Sequence, residues 1–198
     1  SVHFADMDND GWLDIVSSGY GPGEGNLRIY WNNGDGTFSE NQQYLYGSND
    51  SSCSLCDLDA DGYMDIVVTG FSSNKGSGAK SFYIYRNCGG RNFEMLNDLF
   101  CGFEGVDGAT PSFGDVNHDG LPDILIGGHG EKHEITTWLY MNRGDFSFKA
   151  CGAYYDADQE WTFDRISHGN NHLIDYNNDG YLDAVSYTHL RAHETDSY

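Results

Sequence analysis

The chain has 198 residues, of which 31 are Asp or Glu and ten are Lys or Arg, for a formal charge of -21. That balance argues against a nucleic-acid or anionic-membrane partner, because so few cations cannot build an electrostatic footprint against so much acid. No apolar run approaches the ~20 residues of a membrane span. Five cysteines are an odd number and too sparse for a disulfide scaffold, and 198 residues without a linker-like composition shift make a single architecture the expectation.

The first predicted element is a short strand that runs into an acidic loop, "DMDNDGWLDIV" from Asp6. The loop recurs as "DLDADGYMDIV" from Asp57, "DVNHDGLPDIL" from Asp115 and "DYNNDGYLDAV" from Asp175, at spacings of 51, 58 and 60 residues. Every copy is D-x-[DN]-x-D-G-x-x-D followed by apolar residues, which marks a repeat architecture. After each of the first three loops comes a second signature: "YWNNGDGTF" from Tyr30, "YRNCGGRNF" from Tyr85 and "YMNRGDFSF" from Tyr140. An Asn and Gly cluster between aromatic, β-prone runs reads as a hairpin turn, so each full repeat has two hairpins. In the second repeat the four strands are expected at about 52–56, 65–71, 81–87 and from about 92.

No helical period competes, and three prolines leave the strands largely free. The fold class is all-β: a β-propeller of about three and a half four-stranded blades over residues 1–185, with repeats starting near 1, 52, 110 and 170. Calcium-binding β-helices need much shorter periods and are the weaker alternative. Such a set of blades cannot close a ring, and a chain without an initial Met reads as part of a longer protein. The fourth copy runs on as "AVSYTHLRAHETDSY", without the glycine that ends the corresponding strand in the others. Residues 186–198 look non-native and are set aside, together with the zinc-like spacing of His189 and His193.

A nine-residue loop with oxygen side chains at positions one, three, five and nine can wrap one ion, while glycine at position six permits the sharp turn. Carboxylate, amide and backbone oxygens, with no Cys or His among them, select a hard cation, and a mobile loop offering six or seven oxygens suits Ca²⁺ better than Mg²⁺. An EF-hand needs an acid at position twelve inside a helix, whereas Ser17, Val68, Ile126 and Ser186 stand there and β-prone residues follow. The bland reading is four surface turns, since Asp, Asn and Gly are ordinary turn residues. Fourteen of the 31 acids lie in these loops, so four divalent ions would bring the charge to about -13.

At these residues the chain resembles the FG-GAP or VCBS repeats of integrin-α-like β-propellers. The matching stretches are "FADMDNDGWLDIV", "LCDLDADGYMDIV", "FGDVNHDGLPDIL" and "LIDYNNDGYLDAV", with the three Tyr hairpins beside them. The resemblance implies up to four structural calcium ions. It carries the ligand role onto Asp6, Asp8, Asp10 and Asp14; onto Asp57, Asp59, Asp61 and Asp65; onto Asp115, Asn117, Asp119 and Asp123; and onto Asp175, Asn177, Asp179 and Asp183. The carbonyls of Trp12, Tyr63, Leu121 and Tyr181 complete each shell. Asn at the third place in the last two loops removes a charge, so those loops are expected to bind more weakly. Extracellular calcium modules have weak sites that fill only where calcium is abundant, which implies a secreted or cell-surface protein. The expected partners are an extracellular protein or glycan ligand and the remaining blades of the parent protein. The other reading is part of a carbohydrate-active enzyme, a polysaccharide lyase or glycoside hydrolase, since propellers of this family accompany such enzymes.

Other features have bland explanations. "RGD" at Arg143 to Asp145 resembles an integrin-recognition tripeptide but falls where the other hairpins carry their turn glycine. "CSLC" at Cys53 to Cys56 lies in a strand, where residues three apart point to opposite faces. Cys101 and Cys151 both follow the last strand of a blade and could pair. Asn49-Asp50-Ser51 fits a glycosylation acceptor, and "DADQE" at Asp156 to Glu160 is the one acidic and aromatic cluster outside the repeats. In a four-stranded meander the acidic loops and Tyr hairpin turns share one rim, and the variable loops share the other. Recognition is expected on the variable rim, with Lys75, Lys80, His129, Lys132, Tyr155 and Trp161 as candidate contacts.

Overall fold

The structure, a computed structural model, describes residues 1–19, 26–72, 79–96, 105–108, 110–130, 135–151 and 170–187. Apolar and β-branched runs cut by Asp, Asn and Gly turns produce fifteen strands and no helix among these residues. The first blade is β1 (Val2–Ala5), β2 (Asp14–Gly19), β3 (Asn26–Asn32) and β4 (Phe38–Glu40), with a two-residue β5 (Leu45–Tyr46) returning to pair with β3. The second is β6 (Asn49–Cys56), β7 (Asp65–Ser72), β8 (Ala79–Asn87) and β9 (Phe93–Met95). The third is β10 (Ser112–Gly114), β11 (Asp123–His129), β12 (Ile135–Asn142) and β13 (Phe148–Cys151). A two-stranded sheet of β14 (Asn170–Ile174) and β15 (Asp183–Tyr187) follows. Each full blade is an antiparallel up-and-down meander, so every acidic loop joins the first two strands of its sheet. β15 runs two residues past the expected boundary, with Ser186 and Tyr187 still in register opposite Asn171 and Asn170.

The period of two along each strand sends alternate side chains into two different cores. Ile66, Val68, Tyr83 and Tyr85 of the second blade pack with Val16, Ile29 and Trp31 of the first. Their neighbours Val67, Phe82 and Ile84 pack with Ile124, Ile126 and Tyr140 of the third. A blade buried on both faces therefore reads as the continuous apolar runs "IVV" and "FYIY". The same geometry parts the two cysteines of "CSLC": Cys53 sits in the first core and Cys56 packs against the second. Burial pushes the Cys56 thiol up to about 12, with Asp65 and Asp57 adding to the shift. The small residue before each of the first three acidic loops, Ala5, Cys56 or Gly114, meets the next blade, and a Cβ on Gly114 would sit 2.5 Å from Leu182 Cδ1.

The sheets follow one another around an arc that does not close, which makes this an incomplete β-propeller of three blades and half a fourth. Its two ends leave apolar side chains in the open, Phe4 at 65% exposure on one and Ile174 at 50% on the other. No helix among the described residues is long and apolar enough to cross a membrane.

Candidate metal centre

Each acidic loop is shaped first by its own carboxylates. The first-position aspartate accepts from the backbone N–H groups of positions five and six: Asp6 from Asp10 and Gly11, Asp57 from Asp61 and Gly62, Asp115 from Asp119 and Gly120, Asp175 from Asp179 and Gly180. The fifth-position carboxylate accepts from the N–H of Trp12, Tyr63, Leu121 or Tyr181. So tight a wrap needs left-handed backbone twice. Glycine supplies it at position six, with φ of 91° at Gly11 and 93° at Gly62. Position four is left-handed as well, at Asn9, Ala60, His118 and Asn178, with φ between 58° and 60°. Asn tolerates that conformation, whereas Ala60 holds it at a steric cost.

The ninth-position aspartate is bound into the scaffold. Asp14, Asp65 and Asp123 are fully buried at the starts of β2, β7 and β11. In each, Oδ2 accepts from the N–H of position two (Met7, Leu58, Val116) and Oδ1 from the N–H of the hairpin asparagine (Asn32, Asn87, Asn142). Burial raises the pKa of all three against these two N–H bonds, in Asp65 to about 7, and the other loop acids add to the rise.

In the first loop, Asp6, Asp8 and Asp14 bring carboxylate oxygens within 4.8 Å of one another; in the second, Asp57, Asp59 and Asp61 do the same. Asp8 is only 7% exposed, and its Oδ1 is buried without a hydrogen-bond partner. A buried carboxylate oxygen facing other carboxylates and no donor is a group that a cation would satisfy. All the donors are oxygen, which fits a hard ion. The four loops, alike in sequence, differ here. Among the described residues the third and fourth assemble no group of three carboxylates. In the third, the Asn117 amide donates to Asp119 Oδ2 at 2.8 Å, so the loop partly satisfies itself.

Two arginines that the repeat pattern did not single out face these carboxylates. Arg91, in the hairpin of the second blade, places Nε 2.7 Å from Asp8 of the first blade and lies 3.8 Å from Asp10. Arg86 on β8 lies 2.8 Å from Asp59 and 3.5 Å from Asp61. The available signal was where so few basic residues fall: Arg91 stands where the other hairpins carry Gly36 and Phe146.

The asparagine two places after each Tyr is more than a turn residue. Asn87 Nδ2 donates to Met7 O of the preceding blade at 2.7 Å and to Met64 O of its own at 3.2 Å, while its Oδ1 accepts from Gly89 N–H. Asn142 repeats this with Leu58, Pro122 and Gly144. Asn32 bonds only within its blade, to Leu13 O and Gly34 N–H. Neighbouring loops also touch directly: Asn9 donates to Gly62 O, and the His118 ring meets Tyr181 edge-on at 5.2 Å.

The acidic loops and hairpin turns share one rim, where Tyr63 lies over Gly89 and Trp12 over Gly34. Arg143 and Asp145 are exposed there, with Gly144 at φ 82° as the turn glycine. Asn49 lies in β6 opposite Phe71, with its Oδ1 buried, a poor glycosylation acceptor. Of the contacts expected on the opposite rim, Lys75, Lys132, Tyr155 and Trp161 lie outside the described residues, as do "DADQE" and Cys101. Lys80 departs from the expectation of an open contact. It is 2% exposed, its Nζ is 2.6 Å from Asp107 and 3.7 Å from the Phe71 ring centroid, so a buried ion pair removes it from the surface. His129 ends β11, its backbone bridged in both directions to Asp107.

The chain matches a family described as FG-GAP-like repeat three times, over residues 6–68, 57–126 and 115–186. No similar sequence was found among curated proteins. Among solved structures, it is similar to an Agrocybe aegerita lectin, described in terms of specific recognition of non-reducing terminal N-acetylglucosamine. The TM-score is 0.52 at 22% identity over 93% of this chain, which spans 45% of the lectin's length. At that identity the likeness is one of fold.

Proposed function

Since the chain belongs to the FG-GAP-like repeat family, we propose that it is a run of blades from a calcium-stabilised, secreted or cell-surface β-propeller that recognises an extracellular protein or glycan and carries no catalysis of its own. The observation that carries the calcium part is Asp8: a buried carboxylate oxygen without a donor, beside Asp6 and Asp14 in an all-oxygen loop. A bound cation supplies there positive charge that, among the described residues, the loop otherwise draws from Arg91. Asp6 and Asp8 hold the ion, and Asp14 joins them while its two N–H bonds tie the site to β3. Asp57, Asp59 and Asp61 form the second such group. The third and fourth loops are the weaker pair, because Asn117 and Asn177 replace a carboxylate. Recognition, preferably of glycans, is supported by the fold shared with the lectin and by blades cross-tied by asparagine at the first two seams.

Thermal unfolding of the chain in chelator and in 10 mM Ca²⁺ tests this. At dissociation constants of about 10⁻⁴ to 10⁻³ M, each filled site adds about 1.4–2.7 kcal/mol, a shift of several degrees. Asp8→Ala should remove the share of the first loop. A melting temperature indifferent to calcium would overturn the metal reading, and sugar release from oligosaccharides would overturn the non-catalytic one.

A further inference from the structure

The first blade carries a polar cavity of about 130 Å³ on its outer edge, away from the acidic loops. Its origin is a slip in register. Glu40 of β4 pairs with Tyr30, but Leu45 of β5 pairs with Leu27, so the outer strand has two residues more than β3 beneath it. The surplus bows outward opposite Arg28, after a last ladder bond from Asn41 N–H to Ile29 O at 2.8 Å. The bow is held from outside the blade: Gln43 Oε1 accepts from Phe93 N–H at 2.9 Å and its Nε2 donates to Phe93 O, as a strand residue would. The cavity is therefore built into the frame.

The groups around it are unlike a packing defect. Asn41 Nδ2 is buried and has no hydrogen-bond partner, a donor in need of an acceptor. Arg28 and Glu40 form an ion pair, half exposed, that offers donors and acceptors while summing to no net charge. Tyr44 lines the cavity at 60% exposure and meets Tyr46 edge-on at 5.1 Å, presenting an aromatic surface to solvent. Its half-exposed lining leaves the cavity open to solvent, so its volume receives one edge of a single hydroxylated ring while the rest of the ring stays outside. A neutral charge balance in a protein of -21 disfavours an ionic ligand. We propose that this cavity is a saccharide subsite that takes a single neutral pyranose, with Asn41 donating to a ring substituent, Arg28 and Glu40 bonding hydroxyls, and Tyr44 covering the apolar face of the ring. This rests on the glycan-recognition reading above and adds to it a place and a residue set.

The test is titration of the calcium-loaded chain with N-acetylglucosamine, glucose, galactose and mannose at up to tens of millimolar, followed by NMR of the side-chain amides and by calorimetry. At least one sugar should shift the Asn41 amide, and Asn41→Ala and Tyr44→Ala should each weaken its binding about tenfold or more. Tyr44→Ala removes an exposed side chain and keeps the fold, which guards against loss of binding through unfolding. Sugar binding that persists in both variants, with shifts elsewhere, overturns the subsite and leaves glycan recognition standing. No binding of any of the four sugars overturns both.

Discussion

Replacing Asn87 with Ala probes how the blades are held together. The side chain is fully buried and satisfies two backbone carbonyls, Met7 O in the preceding blade and Met64 O in its own, and one N–H, that of Gly89. A net hydrogen bond is worth about 1 kcal/mol, and a buried group left unpaired costs about 1–3 kcal/mol. Asn87→Ala leaves Met7 O without this donor in a site closed to water, so the expected loss is about 3–4 kcal/mol, a large part of the stability of an ordinary domain. Asn32→Ala is the internal comparison, because Asn32 has the same place in its hairpin but bonds only within its blade. It should cost about 1 kcal/mol. Urea unfolding with linear extrapolation, at fixed calcium, measures both. Equal losses in the two variants would refute the inter-blade tie and reduce the asparagine to a turn former.

Lys80→Met should cost about 1.5–3 kcal/mol by leaving the partly exposed Asp107 without its charged partner, and Lys80→Met with Asp107→Leu should recover most of it; a double variant no better than the single one would contradict the ion-pair account. Ala60→Gly should raise stability by about 0.5–1 kcal/mol, because Ala60 alone among the four fourth positions is neither Asn nor His and stands at φ 58°, and a lower urea midpoint would count against it. Tyr85 is buried and donates to Tyr46 O at 2.9 Å, and burial raises its pKa above the ordinary 10.0, opposed by that bond. Its contribution is therefore complete below pH 10 and is lost as pH rises above 10, by about 1.4 kcal/mol per pH unit. Tyr85→Phe should lose about 1 kcal/mol at pH 8 yet show a shallower decline between pH 10 and 11, and a parallel decline would show that another group titrates.

The four acidic loops, the Tyr hairpins and the strand positions of the second blade were legible in the chain because each depends on neighbours within about a dozen residues. Carboxylate-to-N–H bonds span four or five positions, and glycine answers a local need for left-handed backbone. Alternation along "IVV" and "FYIY" likewise states that both faces of a blade are buried. Which blade covers each face is not written locally, and that decided the rest. Arg91 meets Asp8 across 83 residues, and Asn142 meets Leu58 across 84, only because successive blades stack with their loops side by side. Four loops of one pattern thereby become unequal, two faced by arginines and gathering three carboxylates, two not among the described residues. Lys80 reads as a surface residue in a glycine-rich stretch, and Asp107, brought in from 27 residues away, takes it inside. Local chemistry sets what each segment can do, and packing between blades sets which charged and polar groups find one another, because burial makes an unpaired group costly and so makes the pairing specific.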